Sequence, residues 1–386
     1  MPVPVISIAQ MREWENATWA AGQTEAEVIR RVGKKIARRA RKLTRSDDLI
    51  LILAGKGHNG DDAVAAREVL DGRRAELVAV AAPETDLLKF EQLLNQKPAL
   101  VIDGLFGIGL DRPLDEHWKK FIATVNASQI PVLSVDVPSG LNADTGETFG
   151  AAIEAAVTLT VGAPKTGMLA QAAWPFVGRL EVAGDVGLIP CPLAGKLNWS
   201  QPDDFENFPP RRAVAGHKGS FGHLAIVAGS LGFHGAAVLA ARAAQRAQPG
   251  LVTLFTQENV YHAAAAQLQS AMVKLWTPES KLLEDASGAL IGPGLAALDV
   301  TEQMKTIIRR FWRDWNLPLV VDASALDWLV AQNTMARNAV RVVTPHPGEA
   351  ARMLKTTVPQ VQADRPRALR EISRRFGNCW VVLKGH

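Results

Sequence analysis

Apolar residues recur in two rhythms along the chain. Leu49–Leu53 (LILIL) is an unbroken apolar run ending in Ala-Gly, the pattern of a parallel strand buried on both faces. A Gly-rich loop and a helical stretch near 62–71 follow, then a strand over Leu77–Ala81 and a polar helix near 84–96. Leu100–Asp103, a helix near 115–127, Val132–Val135 and Val157–Val161 continue the alternation. Between about 188 and 220 the rhythm stops. Pro190, Pro192, Pro202, Pro209 and Pro210 interrupt that stretch, which reads as a linker. A second alternation then begins. Strands are expected over His223–Ala228, Leu251–Thr256, Ala289–Ile291, Leu319–Asp322, Arg341–Thr344 and Trp380–Lys384. Helices are expected over Gly235–Gln248, Glu258–Gln269, Val300–Trp315 and Pro359–Phe376. Strand and helix in turn predict an α/β fold: doubly wound parallel sheets with right-handed crossovers. No fixed-period repeat relates the two halves.

Length agrees with more than one domain, since 386 residues at about 150 per domain give two to three. Apolar residues make up 47% and charged residues 21%, which excludes a disordered chain. No apolar run approaches the about 18 residues a membrane span needs, and the N-terminal ten residues do not read as a secretory signal. Only Cys191 and Cys379 are present, so no disulfide framework or Cys-based zinc site is expected, and a cytoplasmic protein is.

Net charge is +4, unevenly placed. Residues 30–45 hold nine Lys/Arg and no acid, which leaves the remainder at −5. A nucleic-acid arm is the alternative, but Ile29, Val32, Ile36, Ala40 and Leu43 recur at helical spacing and no aromatic is interleaved. We read an amphipathic helix with a solvated basic face and expect neither nucleic-acid nor membrane binding.

Three loops of the first half sit at strand carboxyl ends, where parallel sheets gather ligands. One is Gly55-Lys-Gly-His58-Asn59-Gly60-Asp61-Asp62; its glycines and helix N-terminus suit a phosphate. It matches neither the dinucleotide GxGxxG spacing nor a Walker loop. The second runs from Asp103 through Gly107, Ile108, Gly109, Leu110, Asp111 and Arg112 to Pro113, and the third is Ser134-Val-Asp136-Val-Pro-Ser139-Gly-Leu-Asn142. Asn59, Asp103 and Ser139 supply oxygens of the kind that hold a hard or monovalent cation.

These residues, with Gly162-Ala-Pro-Lys165-Thr-Gly167, resemble the NAD(P)H-hydrate epimerases over roughly 8–190. The resemblance implies a Rossmann-like domain that interconverts R and S hydrates of NADH or NADPH, with K+ at Asn59, Asp103 and Ser139. It implies substrate contact along His58–Asp62 and Gly107–Pro113, catalysis at Asp136, and electrostatic help from Lys165. One departure is Asp61, which stands where the family's loop carries Gly.

In the second half, the loops around Gly229–Ala237, Ile291–Ala296, Val321–Leu326, Thr344–Glu349 and Lys384–Gly385 resemble, in that order, the ribokinase-like ADP-dependent NAD(P)H-hydrate dehydratases, from about 211 onward. By that resemblance Ala236 and Gly294 contact substrate, His346 lies on the substrate side, and Lys384 and Gly385 begin the nucleotide-phosphate segment. ADP and Mg2+ would be its cofactors. The family's GxGD segment does not occur between 211 and 386. The expectation is therefore an epimerase domain over 1–190, a linker over 191–212, and a truncated, inactive dehydratase domain over 213–386. A homo-oligomer is a family-level expectation. The competing readings are a dinucleotide-dependent oxidoreductase and a binding module without chemistry.

Overall fold

The computed structural model describes residues 2–277, 284–298, 300–331 and 339–385. The chain forms two compact units, Met1–Glu206 and Asn207–His386.

The first unit is built on six parallel strands among the described residues: β2 (Leu49–Ala54), β3 (Arg74–Ala79), β4 (Leu100–Gly104), β5 (Val132–Val135), β6 (Val157–Val161) and β7 (Arg179–Ala183). Their order is β3-β2-β4-β5-β6-β7. The two-residue period of β2 explains its all-apolar sequence. Ile50 and Ile52 face helices α2 (Glu25–Leu43) and α3 (His58–Arg67) with Val32, Ile36, Ala63 and Ala66. Leu49, Leu51 and Leu53 face α4 (Pro83–Leu94) and α5 (Glu116–Ala127) with Phe90, Phe121 and Ile122. Each fully buried Ile or Leu side chain is worth about 1.5–3 kcal/mol, so covering both faces of this strand is a large share of the core.

The basic stretch is helix α2, capped by Thr24, with Val28, Val32, Ile36, Ala37 and Ala40 buried. Its cations lie mostly outward, and Arg39 reaches across to Glu181 on β7 at 2.7 Å. A helix not foreseen, α1 (Ile8–Ala20), opens with a reciprocal cap between Ser7 and Gln10.

The segment expected as linker belongs in good part to this unit. Cys191 and Leu193 pack with Ile6, Met11 and Trp14. Two short strands, β1 (Val3–Pro4) and β8 (Asn198–Trp199), pair antiparallel. Proline there stops helices, yet it does not stop apolar side chains from packing. A four-residue helix, α6 (Trp174–Val177), leads into β7.

The second unit carries seven parallel strands among the described residues. They are β9 (His223–Val227), β10 (Leu251–Thr256), β11 (Met272–Leu275), β12 (Gly288–Ile291), β13 (Leu319–Val321), β14 (Arg341–Val343) and β15 (Trp380–Val381), in the order β11-β10-β9-β12-β13-β14-β15. Ile226, Val252 and Leu254 pack on α7 (His234–Arg246) and α8 (Glu258–Ala265). Val227, Ile291, Val321 and Val343 pack on the other face, against α9 (Glu302–Asp314), α10 (Pro347–Leu354), α11 (Val358–Ala363) and α12 (Arg365–Arg375). Trp312 is in that core, with Trp315 and Trp328 packed against it. The single helix expected over Pro359–Phe376 is broken at Asp364, whose carboxylate caps the Arg367 N–H at 2.9 Å and so starts a new helix.

Candidate active site

In the first unit the carboxyl ends of β2, β4 and β5 meet at one cleft of about 600 Å³. The turn from β2 into α3 is very tight. A Cβ on Gly55 would sit 1.9 Å from the Leu105 carbonyl oxygen, and one on Gly60 would sit 2.0 Å from the Gly55 oxygen. Only glycine permits that approach, which sets the N-terminus of α3 at the cleft.

Asn59, buried in this turn, donates from Nδ2 to the carbonyls of Phe106 (2.9 Å) and Val135 (3.0 Å), and so ties all three loops together. Beneath them lies Asp103, fully buried. Its carboxylate accepts from Ser139 Oγ (2.5 Å), Ser139 N–H (3.0 Å), Ser134 Oγ (2.8 Å) and Leu105 N–H (3.3 Å). Burial pushes the Asp103 carboxyl up, and these hydrogen bonds oppose the rise. All four donors are neutral, and among the described residues no Lys, Arg or His pairs with Asp103. A buried carboxylate beside a hydroxyl and a side-chain amide is a donor set that suits a monovalent cation.

Asp136 ends β5 with φ of +60°, a left-handed conformation that Asp tolerates better than most residues. Its N–H donates to the Leu159 carbonyl at 2.9 Å, which secures the turn. Its Oδ1 accepts from Val161 N–H (2.9 Å), Thr160 Oγ1 (3.0 Å) and the Lys165 ammonium. Lys165 is fully buried and also donates to Thr160 Oγ1 and the Val161 carbonyl, each at 3.1 Å. Three donors, one of them an ammonium, thus fix the orientation of this carboxylate at the cleft wall.

The cleft is lined by His58, Asn59, Asp62, Gly107, Ile108, Gly109, Leu110, Asp111, Arg112 and Asp136 of the expected residues. Gly60, Asp61 and Pro113 are not on its lining. Asp61 faces solvent in the first turn of α3, so its side chain does not displace backbone from the cleft wall. Asp103, Ser139 and Lys165 lie behind the wall. Lys165 therefore touches Asp136 and does not reach the cleft lining.

Sequence reading missed one wall. Arg12, Glu15 and Trp19 of α1, with Glu25, Val28 and Ile29 of α2, line the same space. Glu25 pairs with His58. The Ser7-x-x-Gln10 capping signature was the available sign of α1. Burial, followed by the nearby Asp136 charge, pushes the Glu15 carboxyl up. Burial, again followed by Asp136, pushes Asp62 up to about 8.

In the second unit two groups of expected residues form at the carboxyl edge of the sheet. Gly294, at φ +70°, sits against Ala236: a Cβ there would meet the Ala236 Cβ at 2.9 Å. Ser230, buried, bridges to the Gly294 carbonyl (2.6 Å) and the Ala297 N–H (3.1 Å). In the second group His346 caps α10 through Nδ1, accepting from Gly348 N–H at 3.0 Å. Lys384 donates to Asp322 Oδ1 at 2.6 Å and lies 4.0 Å from Glu349. Half-burial pushes the Asp322 carboxyl up; the bonds from Lys384 and Thr344 outweigh it and hold the group below the usual carboxylate range. The carbonyls of Lys384 and Gly385 accept from Arg365 at 3.3 Å. Lys384 thus pairs directly with Asp322, while His346 and Lys384 both approach Glu349.

Relatives of the whole chain carry both halves. A bifunctional NAD(P)H-hydrate repair enzyme of Gloeobacter violaceus is 33% identical over 99% of this chain and 81% of its own length. Counterparts from Coxiella burnetii (30%, covering 97% and 80%) and Escherichia coli (32%, covering 87% and 68%) agree. The chain belongs to this family of bifunctional repair enzymes. Within that family, residues 78–167 match the YjeF-related protein N-terminus, and 224–386 match NAD(P)H-hydrate dehydratase. The expectation of a truncated dehydratase domain lacking its catalytic segment is not borne out, because that match runs through the last residue of the chain. Among solved structures, an ADP/ATP-dependent NAD(P)H-hydrate dehydratase from Bacillus subtilis, co-crystallised with ATP/Mg2+, is 29% identical over 47% of this chain and 65% of that one, with a TM-score of 0.42.

Proposed function

We propose that the chain repairs hydrated nicotinamide dinucleotides, and that its first unit interconverts the R and S hydrates of NADH and NADPH. The observation that carries the reading is Asp136 at the cleft wall, its carboxylate held by bonds from Lys165, Thr160 and the Val161 N–H. Interconversion needs the ring hydroxyl to leave and return on the other face. As it leaves, positive charge grows on the ring, and a fixed carboxylate stabilises that charge without reorganising. Glycine-rich backbone at Gly107–Gly109 would pass the substrate's phosphates, with Arg112 and Lys56 at the rim.

K+ fits the chemistry of the oxygen set beneath the cleft, with Asn59, Asp103 and Ser139 as its holders. When bound, it would supply the positive charge that the buried Asp103 carboxylate otherwise lacks and would brace the three loops.

The second unit takes the dehydratase side of the same repair. Ala236 and Gly294 would face the hydrate, with His346 nearby. Asp322, Glu349 and Lys384–Gly385 would stand beside ADP and Mg2+, a metal that takes one or two protein carboxylates and keeps phosphate and water as its other ligands.

The test is to supply purified R-enriched NADPH hydrate with K+ and follow the R/S ratio by chromatography. Re-equilibration faster than the protein-free blank supports the reading. Binding without re-equilibration, or hydride transfer to a keto acid, contradicts it.

A further inference from the structure

We propose that Asp62 is the proton carrier of the first unit's reaction, working in the same cleft as Asp136; this rests on the epimerase reading above. Both carboxyls line the same cleft, one from the first turns of α3 and one from the end of β5. Each is only 8% exposed, yet their surroundings differ. Asp136 has three donors including an ammonium. Among the described residues, no hydrogen bond or ion pair reaches the Asp62 carboxyl. A buried carboxyl without donors, close to a fixed negative charge, keeps its proton.

The groups that face Asp62 are mostly of the same sign. They are Asp136, Asp61 in its own helix, Glu15 from α1 and Glu25 from α2. Glu25 is paired with His58, and Lys165 is spent on Asp136. Arg12 and Lys56 line the cleft as well. The net effect holds Asp62 protonated up to about pH 8. A carboxyl without donors beside one bonded by an ammonium is the usual division of labour between an acid and a fixed anion.

The step balances without a co-reactant. The ring C–O bond breaks and its electron pair leaves with oxygen. The Asp62 proton passes to that oxygen, giving water, while the adjacent ring nitrogen's lone pair forms a C=N bond. Asp136 faces the cationic ring. Water then adds to either face of the same carbon and returns a proton to Asp62. Both hydrates form from one cationic ring, so the same group serves the two directions.

The test uses the full chain with K+, the R-enriched NADPH hydrate, and blank-corrected rates from pH 6 to 10. The wild-type rate should fall as pH rises through about 8, as the acid is lost. Asp62→Asn should lower kcat by about 10²–10⁴-fold, with little change in KM, and should abolish the alkaline limb. Asp62→Glu should recover part of kcat with a displaced limb. A wild-type profile flat between pH 7 and 9, or an Asp62→Asn rate within threefold of wild type, overturns the proposal while leaving the epimerase reading intact. A wild-type chain that does not re-equilibrate the hydrates at any pH overturns that reading itself. If Asp62→Asn fails to fold, the wild-type profile and Asp62→Glu still decide.

Discussion

Lys165 offers the sharpest test of how the site is held. It is a fully buried ammonium whose three acceptors are Asp136 Oδ1, Thr160 Oγ1 and the Val161 carbonyl. Lys165→Met keeps most of the volume and removes the charge. Asp136 then keeps only Thr160 Oγ1 and the Val161 N–H as donors, inside a wall where water barely reaches it. Breaking a buried pair from one side costs about 3–5 kcal/mol. For a unit of this size each kcal/mol moves the midpoint by about 2–4 °C, so the first unit's transition should fall by about 6–20 °C. Calorimetry on the intact chain is the assay. The two units have separate cores, so the second unit's transition serves as an internal reference. Asp136→Asn strands the ammonium instead, and the double variant removes both charges. The double variant should therefore lose less than the two single losses combined, with a coupling of about 2 kcal/mol or more. Additive losses, or a Lys165→Met loss below about 1 kcal/mol, would refute the reasoning that this pair is desolvated and mutually dependent.

Other substitutions read the frame. Gly60→Ala places a Cβ where the Gly55 carbonyl oxygen lies 2.0 Å away, so α3 must retreat from the cleft. A displacement of that order should cost about 10²-fold in hydrate interconversion, measured by the R/S assay, with a smaller loss in the thermal midpoint. In the second unit Arg341 is buried and donates to the carbonyls of Trp312 (2.8 Å), Leu317 (3.0 Å) and Phe311 (3.2 Å), and to that of Trp315. These acceptors are the end of α9 and the segment after it. Arg341→Met strands them and should cost about 1–3 kcal/mol, visible in the second unit's transition and absent from the first. His346→Ala removes the α10 cap and should cost about 1 kcal/mol, also confined to the second transition.

Strands buried on both faces were the most legible elements, because a short run such as LILIL, ended by Ala-Gly, is too brief for a buried helix and fits a strand covered on both faces. Short or edge strands such as Met272–Leu275 and Arg179–Ala183 were not, since one side of each is solvated and the apolar signal fades. Helix α3 begins at His58 rather than near 62, because Gly57 ends the strand's loop and the chain turns at once. Ten of the expected residues on the three loops line the cleft, so its position was legible from motif. What sequence could not show is depth. Asp103 at the end of β4 and Lys165 in a loop carry no mark of depth in the sequence, yet both are fully buried, and their partners Ser134 and Thr160 carry no motif weight alone. The α1 wall was invisible because its polar residues Arg12 and Glu15 point into a cleft, so the helix lacks a clean apolar stripe.

The most direct measurement remains the stereochemical one. R-enriched NADPH hydrate is incubated with the purified chain and K+, and the R/S ratio is followed by chromatography against a blank. Wild type should bring the ratio to equilibrium well ahead of the blank, and Asp136→Asn should fall back close to it. A wild-type ratio that tracks the blank while the chain is folded and binds the hydrate would contradict the account.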